Sequence, residues 1–125
     1  MEEFSIRQTR SGYSFILKAN HDIIVVGKQE YPDIESIKNA IADMRTLASK
    51  AAVIDLTENA QPSEESAFEL YADKAGEFRF RLKNADDDII IVSEGFSKKE
   101  SALKRIELVR KLSKDAIVTL FGRPV

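Results

Sequence analysis

Few side chains in this chain could support nucleophilic catalysis. The single histidine, His21, lies next to Asp22, but a catalytic triad would also require an activated serine. No G-x-S-x-G motif is present, and Ser97 is explained by a place at the start of a helix. We interpret His21 as an ordinary surface residue. The sequence therefore predicts no catalytic residue and a protein that is not an enzyme.

Metal and cofactor sites have equally little support. The absence of cysteine excludes thiolate chemistry, and one histidine excludes a multi-histidine metal centre within one chain. The three carboxylates of Asp86–Asp88 could offer oxygen ligands, but they lack the spacing of an EF-hand loop. The five glycines are scattered and form no phosphate-binding or dinucleotide motif. We expect no metal site and no cofactor.

Charged and apolar residues alternate strictly along Glu77–Lys83, which is typical of a strand with one solvent-exposed face. The basic residues of this strand, with an aromatic residue of the preceding strand, should therefore share the side that faces away from the helices. Arginine binds carboxylate or phosphate through two hydrogen bonds, which makes this side a candidate docking surface for an anionic partner. The alternative is cross-strand pairing of the arginines with Glu69. The candidate binding residues are Tyr71, Arg79, Arg81 and Lys83.

The stretch from Lys98 to Lys114 holds seven basic and two acidic residues, and it is a second basic candidate. A basic helix can bind phosphate backbones or acidic protein surfaces, so a nucleic-acid-associated protein is the alternative function. Basic residues in the last turn also suit the helix dipole, and a net charge of -2 argues against a dedicated nucleic-acid binder. The residues of this alternative site are Lys98, Lys104, Arg105 and Lys111.

An internal repeat supplies the elements that must position these residues. Residues 4–56 align with residues 68–120 at a shift of 64, which becomes 65 near Glu77 and returns to 64 near Ala48. The matched positions are mostly apolar or turn-forming, as expected of a duplicated fold unit. A repeat of about 60 residues has a marginal core, so we expect both repeats to fold as one domain. The expected division is 1–57 for the first repeat, 58–66 for a polar linker and 67–125 for the second repeat.

Each repeat predicts three strands, a helix and a last strand. Ile89–Val92 is β-branched and apolar, which is typical of a central strand. Ser97 and Glu100 have the spacing of a capping box, while Pro32 and Asp33 both suit a helix start. Two repeats that share one sheet, with both helices on the same face, form an α+β fold with a mainly antiparallel sheet. The residues expected to face inward are Phe4, Ile6, Phe15, Leu17, Ile41, Met44, Phe68, Leu70, Phe78, Phe80, Leu82, Ile106 and Val109.

The second repeat carries the most specific pattern. Phe68–Tyr71, Asp73–Lys83 and Ser93–Lys99 resemble the motifs of the YegP-like family, which comprises small uncharacterised prokaryotic proteins of one or two such units. The resemblance implies two β3-α-β units in one sheet, with their C-terminal strands exchanged between the repeats, and it implies no activity. Asp86-Asp87 and His21-Asp22 replace the family's Asn-Gly turn, which predicts a longer hairpin. The first repeat lacks the basic pair, so a function tied to the pattern should lie in the second repeat.

Composition and hydropathy set the expected location. The 125 residues are 43% hydrophobic and 32% charged, which is ordinary for a soluble globular protein. The apolar runs are too short to span a bilayer, and Met1–Phe4 is acidic and lacks a signal-peptide core, so a cytoplasmic location is expected. We expect a non-catalytic interaction module that uses the exposed sheet face. Its partner would be another protein or a second copy, with nucleic acid as the alternative and no membrane partner.

Overall fold

The computed structural model describes all 125 residues and contains nine strands and two α-helices. Each half of the chain follows the predicted order of three strands, a helix and a strand, and a two-residue strand is added at the C-terminus. Neither helix is long and apolar enough to cross a membrane. The elements are β1 (Glu2–Gln8), β2 (Tyr13–Ala19), β3 (Asp22–Gly27), α1 (Ile34–Lys50), β4 (Ala52–Asp55), β5 (Ala67–Ala72), β6 (Phe78–Lys83), β7 (Ile89–Val92), α2 (Lys99–Asp115), β8 (Ile117–Leu120) and β9 (Arg123–Pro124), with a 3-10 turn at Leu56–Glu58 after β4.

All nine strands form one sheet in the order β4-β5-β6-β7-β3-β2-β1-β8-β9. The third strands of the two repeats meet in the middle, where β3 pairs antiparallel with β7. The last strand of each repeat pairs with the first strand of the other, because β4 lies parallel to β5 and β8 lies parallel to β1. The expected exchange of C-terminal strands is confirmed. The remaining pairings are antiparallel, so the mainly antiparallel sheet is confirmed as well.

Both helices pack on one face of the sheet, and the hydrophobic core lies between the helices and the sheet. Each repeat contributes one edge-to-face phenylalanine pair. The ring centroids of Phe4 and Phe15 are 5.9 Å apart, and those of Phe68 and Phe80 are 6.1 Å apart. The residues expected to face inward are buried, except for Phe78, which is half-buried at the start of β6. The buried side chains of the two repeats form one continuous cluster.

The two helices begin differently. Asp33 is the N-cap of α1: its carboxylate accepts the amide of Ser36 at 2.8 Å, and its own amide donates to the Ser36 hydroxyl. The capping box predicted for Ser97 and Glu100 is wrong. Helix α2 has Lys98 as its N-cap, and no side chain caps its first turn. Equivalent backbone bridges at Tyr31 and Phe96 precede the two helices, so the N-cap of α2 falls 65 residues after Asp33. The residue at that position is Lys98, which cannot cap the helix with a side-chain acceptor.

Equivalent residues of the two repeats stay 65 positions apart through the helix and the last strand. Both helices have 17 residues, and their C-caps, Ala51 and Ala116, are 65 positions apart. The extra residue expected near Ala48 is therefore wrong. The longer hairpin is confirmed in the second repeat, where Asn84–Asp88 joins β6 to β7. In the first repeat a two-residue turn, Asn20-His21, suffices because Asn20 adopts a left-handed φ of 56°.

Candidate functional site

The first candidate site lies on the outer face, by which we mean the face of the sheet opposite the helices. The strand register places one residue from each of six adjacent strands side by side across this face. The row joins both repeats, and it changes from charged to apolar side chains towards the middle of the sheet. In order across the sheet, its members are Glu69, Arg81, Val92, Val26, Ile16 and Ser5.

Arg81 is held by its neighbours on the outer face. Its Nε donates to Oε1 of Glu69 at 2.9 Å, and its guanidinium carbon lies 4.6 Å from the centroid of the Tyr71 ring. The carboxylate of Glu69 is almost completely buried by this arrangement. The cross-strand pairing that the sequence offered as the alternative is therefore present at Arg81. Tyr71 and Arg81 lie together, as expected, but the positive charge is already paired.

Arg79 is paired with Asp73, a carboxylate that the strand pattern in the sequence does not indicate. Its Nε donates to Oδ2 of Asp73 at 2.7 Å, and Nη1 lies 3.3 Å from the carbonyl oxygen of Ser93. The hydrogen bond from Arg79, together with one from the amide of Glu77, lowers the pKa of Asp73 below its usual value. Asp73 lies in the β5–β6 turn, six residues before Arg79, so only the shape of the turn brings the two side chains together.

Lys83 does not belong to an exposed docking surface, and the expectation that it faces solvent is wrong. Its side chain is only 3% exposed, and its ammonium donates to the backbone carbonyl of Ser63 and, at 2.6 Å, to Oδ1 of Asp87. The pairing register shifts at Leu82/Lys83, next to the long β6–β7 hairpin. The hairpin and the segment before β5 therefore enclose this ammonium group.

Two apolar side chains of β3 are exposed at the centre of the outer face, while the neighbouring Val92 is half-buried and Ile16 is buried. Val26 and Ile23 expose 42% and 47% of their surface. A β-bulge in the β2–β3 pairing turns both Ile24 and Val25 towards the core, so the two ends of the strand face outward. Val26 also pairs with Val92 at the junction of the repeats. The sequence placed Ile16 on this side of the sheet, but it did not indicate that Ile23 and Val26 face outward, because Ile23–Val26 shows no alternation.

The basic residues of α2 do not form one cationic surface. Nη1 of Arg105 donates to the carbonyl of Ile24 at 3.0 Å and lies 3.3 Å from the carboxylate of Glu94. Hydrogen bonds to Glu58 and Asp55, at the β4 edge of the sheet, raise the pKa of Lys99. Three predicted residues of this helix remain exposed and outside any ion pair: Lys98, Lys104 and Lys111.

The remaining residues considered for chemistry lie in the two central hairpins. His21 is exposed in the β2–β3 turn. Asp87 is bound to Lys83, and Oδ2 of Asp88 accepts a hydrogen bond from the Asn84 amide at 3.3 Å. The adjacent carboxylates thus have separate hydrogen-bonding partners within the hairpin.

A cleft of about 510 Å³ lies between α1 and the β6–β7 hairpin. Its polar lining includes Tyr31 and two carboxylates, Asp43 and Asp88, which come from three separate segments. Burial raises the pKa of Tyr31, and the negative charges of Asp43 and Asp88 raise it further. The lining residues belong to both repeats, so no local pattern in the sequence indicates the cleft.

Comparison with known proteins identifies relatives of part of the chain. Residues 73–119 match a family model described as a domain of unknown function, DUF1508. A UPF0339 protein of Treponema denticola is 47% identical over 51 residues, which cover 41% of this chain and 88% of that protein. The UPF0339 protein in the ptx operon 5' region of Stutzerimonas stutzeri is 50% identical over 48 residues, which cover 38% of this chain and only 43% of that protein.

Solved structures share the whole fold. The yegP protein of E. coli, described as a protein of unknown function, superposes with a TM-score of 0.73 at 21% identity and covers 96% of this chain and 92% of its own. The UPF0339 protein SO3888 of Shewanella oneidensis superposes with a TM-score of 0.72 at 18% identity and covers 95% of this chain and 90% of its own. At these identities the similarity establishes the architecture alone.

Proposed function

This chain belongs to the UPF0339 family, whose DUF1508 domain has no known function, and we propose that it is a non-catalytic interaction module that docks a second copy of itself through the outer face. The resemblance to the YegP-like proteins is confirmed by the fold. The cytoplasmic location expected from the sequence is part of this proposal.

The exposed apolar centre of the outer face carries the proposal. Val26 and Ile23 are 42% and 47% exposed on the middle strand of a nine-stranded sheet, and Val26 lies between Val92 and Ile16. Exposed apolar side chains with polar neighbours are typical of protein–protein interaction sites. The exposed residues lie near the junction of the two repeats, at the centre of the sheet. Two copies can therefore place the same residues against each other across a two-fold axis, which favours self-association.

The paired arginines suit the rim of such an interface better than an anion-binding site. Arg79 and Arg81 have carboxylate partners in Asp73 and Glu69, so neither needs an external anion. An arginine stacked on Tyr71 presents a flat, pre-ordered surface, and tyrosine and arginine are enriched at protein interfaces.

Nucleic-acid binding, the alternative function, has less support. A phosphate backbone is bound by several cations that share one surface. In α2, Arg105 and Arg110 donate to backbone carbonyls of the first repeat, and Lys99 is bound to two carboxylates. The exposed lysines of the helix are accompanied on its surface by Glu100 and Glu107.

Sedimentation velocity over a range of protein concentrations tests the proposal. The wild-type protein should form a dimer, and Val26→Lys should weaken it by about tenfold or more, because the substitution places a charge in the apolar centre. Gln8→Lys, at an exposed strand position outside the row, is the matched control and should leave the dimer unchanged. A wild-type protein that remains monomeric, or equal behaviour of the two variants, would contradict the proposal.

A double variant, Arg79→Ser with Arg81→Ser, tests the rim. We expect the dimer to weaken less than it does with Val26→Lys, while circular dichroism remains that of the folded protein. Loss of the dimer in the double variant alone would place the interface on the paired arginines instead of the apolar centre.

A further inference from the structure

The cleft beside α1 has a counterpart in the other half of the molecule, because the repeat relates the two halves. The helix position 65 residues after Ala40 is Arg105, and the residue 65 positions after Tyr31 is Phe96. The two aromatic residues are structurally equivalent, since each forms the isolated backbone bridge that precedes its helix. The two halves can therefore be compared residue by residue at this place.

In the second repeat, the side chain of Arg105 occupies this space. Its guanidinium carbon lies 5.1 Å from the centroid of the Phe96 ring, which is a cation–π distance. Nη1 donates to the carbonyl of Ile24 at 3.0 Å and lies 3.3 Å from the carboxylate of Glu94. In this half of the molecule, a guanidinium group therefore lies on an aromatic ring beside a carboxylate.

In the first repeat, the space next to Ala40 is open, while the carbonyl of Ile89, the equivalent of Ile24, accepts a hydrogen bond from Nε2 of Gln29 at 2.9 Å. Ala40 ends at its β-carbon, so Tyr31 borders the cleft without an arginine over its ring. Asp43 stands where the other helix has Leu108, and Asp88 adds a second carboxylate from the β6–β7 hairpin. No lysine or arginine lines the cleft, so its negative charge has no cation within the lining.

We propose that this cleft binds a small molecule that carries a guanidinium group, in the position that the Arg105 side chain occupies in the other half. The ring of Tyr31 contacts one face of the guanidinium, and Asp43 and Asp88 accept its N–H groups. The cleft, at about 510 Å³, lies within the usual range of small-molecule sites and exceeds the volume of one guanidinium group. The rest of the ligand therefore has room beside Gln29 and Asn84.

The ionisation of Tyr31 provides an independent readout. Burial raises the pKa of its hydroxyl, and Asp43 and Asp88 raise it further, so both carboxylates are near enough to act on the phenol. A bound cation opposes the charge of the carboxylates. The ligand should therefore lower the pKa of Tyr31 towards the ordinary value for tyrosine, which is about 10.

An NMR titration with methylguanidinium and methylurea tests the proposal, because the two compounds have nearly the same shape and differ in charge. We expect methylguanidinium to shift the amide signals of Tyr31 and Ala40 saturably and to lower the pKa of Tyr31, while methylurea does neither. An equal response to both compounds, or unsaturated shifts spread over the exposed acidic residues, would overturn the proposal. Binding of the tripeptide Gly-Arg-Gly without binding of methylguanidinium would overturn the assignment to a small molecule.

Filling the cleft is the second test. Ala40→Arg introduces the arginine that the other repeat already has, and it should weaken methylguanidinium binding by about tenfold or more. Ala42→Arg adds the same charge at an exposed position of the same helix, and it should leave binding unchanged. Equal affinities for the two variants would overturn the proposal.

A third variant keeps the test decisive if Ala40→Arg does not fold. Asp43 and Asp88 are exposed, so Asp43→Asn combined with Asp88→Asn should preserve the fold. Loss of both charges should weaken methylguanidinium binding by about tenfold. An unchanged affinity would exclude these carboxylates as the cation's partners and overturn the proposal.

Discussion

Arg45 and Arg110 hold equivalent positions in the two helices, and each donates to at least one backbone carbonyl at the end of the other helix. Nη1 of Arg45 lies 2.6 Å from the carbonyl oxygen of Ser113, and Nη1 of Arg110 lies 2.8 Å from that of Ala48. Each guanidinium also lies 5.0 Å from the ring centroid of a core phenylalanine. The last carbonyls of a helix have no partner within it, so the two arginines satisfy these groups and join the repeats.

Replacing either arginine should weaken the whole fold. Arg45→Met and Arg110→Met should each lower the free energy of unfolding by about 2 kcal/mol, because each leaves a partly buried carbonyl without its charged donor. Urea denaturation measures this change. Arg7→Met, at an exposed position outside any ion pair, is the control. Changes below about 0.5 kcal/mol in all three variants would mean that the interhelical hydrogen bonds do not contribute to stability.

The exchange of last strands should prevent the first repeat from folding alone. In a fragment of residues 1–60, β1 loses its parallel partner β8, β4 loses β5, and β3 loses β7. We expect the fragment to be unfolded or to dimerise, since a second copy can supply the missing strands. Circular dichroism with light scattering distinguishes these outcomes from a cooperative melt of a monomer, which would contradict the prediction.

Phe80 should be among the residues most costly to truncate. Its side chain is fully buried and packs edge-to-face against Phe68, so Phe80→Ala should lower the free energy of unfolding by about 3–5 kcal/mol. Phe121→Ala is the matched control, because Phe121 is 73% exposed and should tolerate truncation. A loss under about 1 kcal/mol at Phe80 would exclude a central role for it in the core.

One buried polar atom should be dispensable. Oγ of Ser113 is buried without a hydrogen-bond partner, and the equivalent residue in α1 is Ala48. Ser113→Ala should raise the free energy of unfolding by about 1 kcal/mol, because it removes an unsatisfied hydroxyl from the interior. Ser49→Ala, whose hydroxyl donates to the Thr46 carbonyl at an exposed site, should bring no gain. Destabilisation by Ser113→Ala would show that this hydroxyl is hydrogen-bonded in the folded protein.

The Asp73–Arg79 pair should make stability depend on pH in the acidic range. The hydrogen bond from Arg79 lowers the pKa of Asp73 in the folded protein. The resulting stabilisation is complete above the ordinary aspartate pKa of about 3.9 and is lost as the pH falls through the lower folded value. Arg79→Gln should raise the pKa of Asp73 in an NMR titration of its carboxyl carbon, whereas Arg7→Gln should not. An unchanged pKa in Arg79→Gln would show that the backbone amides of the turn suffice.

Local patterns in the sequence determined the elements of each repeat and most of the core. Phe80 and Leu82 alternate with charged residues, and Ile41 and Met44 recur at helical spacing, because one face of each element must be apolar to pack. The duplication was equally visible, since equivalent core positions keep their character. The exchange of the last strands came from the resemblance to a known family, because each strand is compatible with either partner.

Only the tertiary structure decided which charged side chains are free to bind a partner and where the cleft lies. Arg79 and Arg81 point away from the helices as the alternation predicts, yet the β5–β6 turn and the strand register provide each with a carboxylate. Lys83 follows the same alternation and is nevertheless enclosed, because a bulge and a long hairpin meet there.

The cleft depends on tertiary structure most of all. Tyr31, Asp43 and Asp88 lie in three separate segments, and the space between them exists because Ala40 stands where the other repeat has Arg105. Periodicity reports which face of an element is apolar, and that property is local. Pairing and enclosure depend on the separation of side chains from distant segments, which is established only when the two repeats pack together.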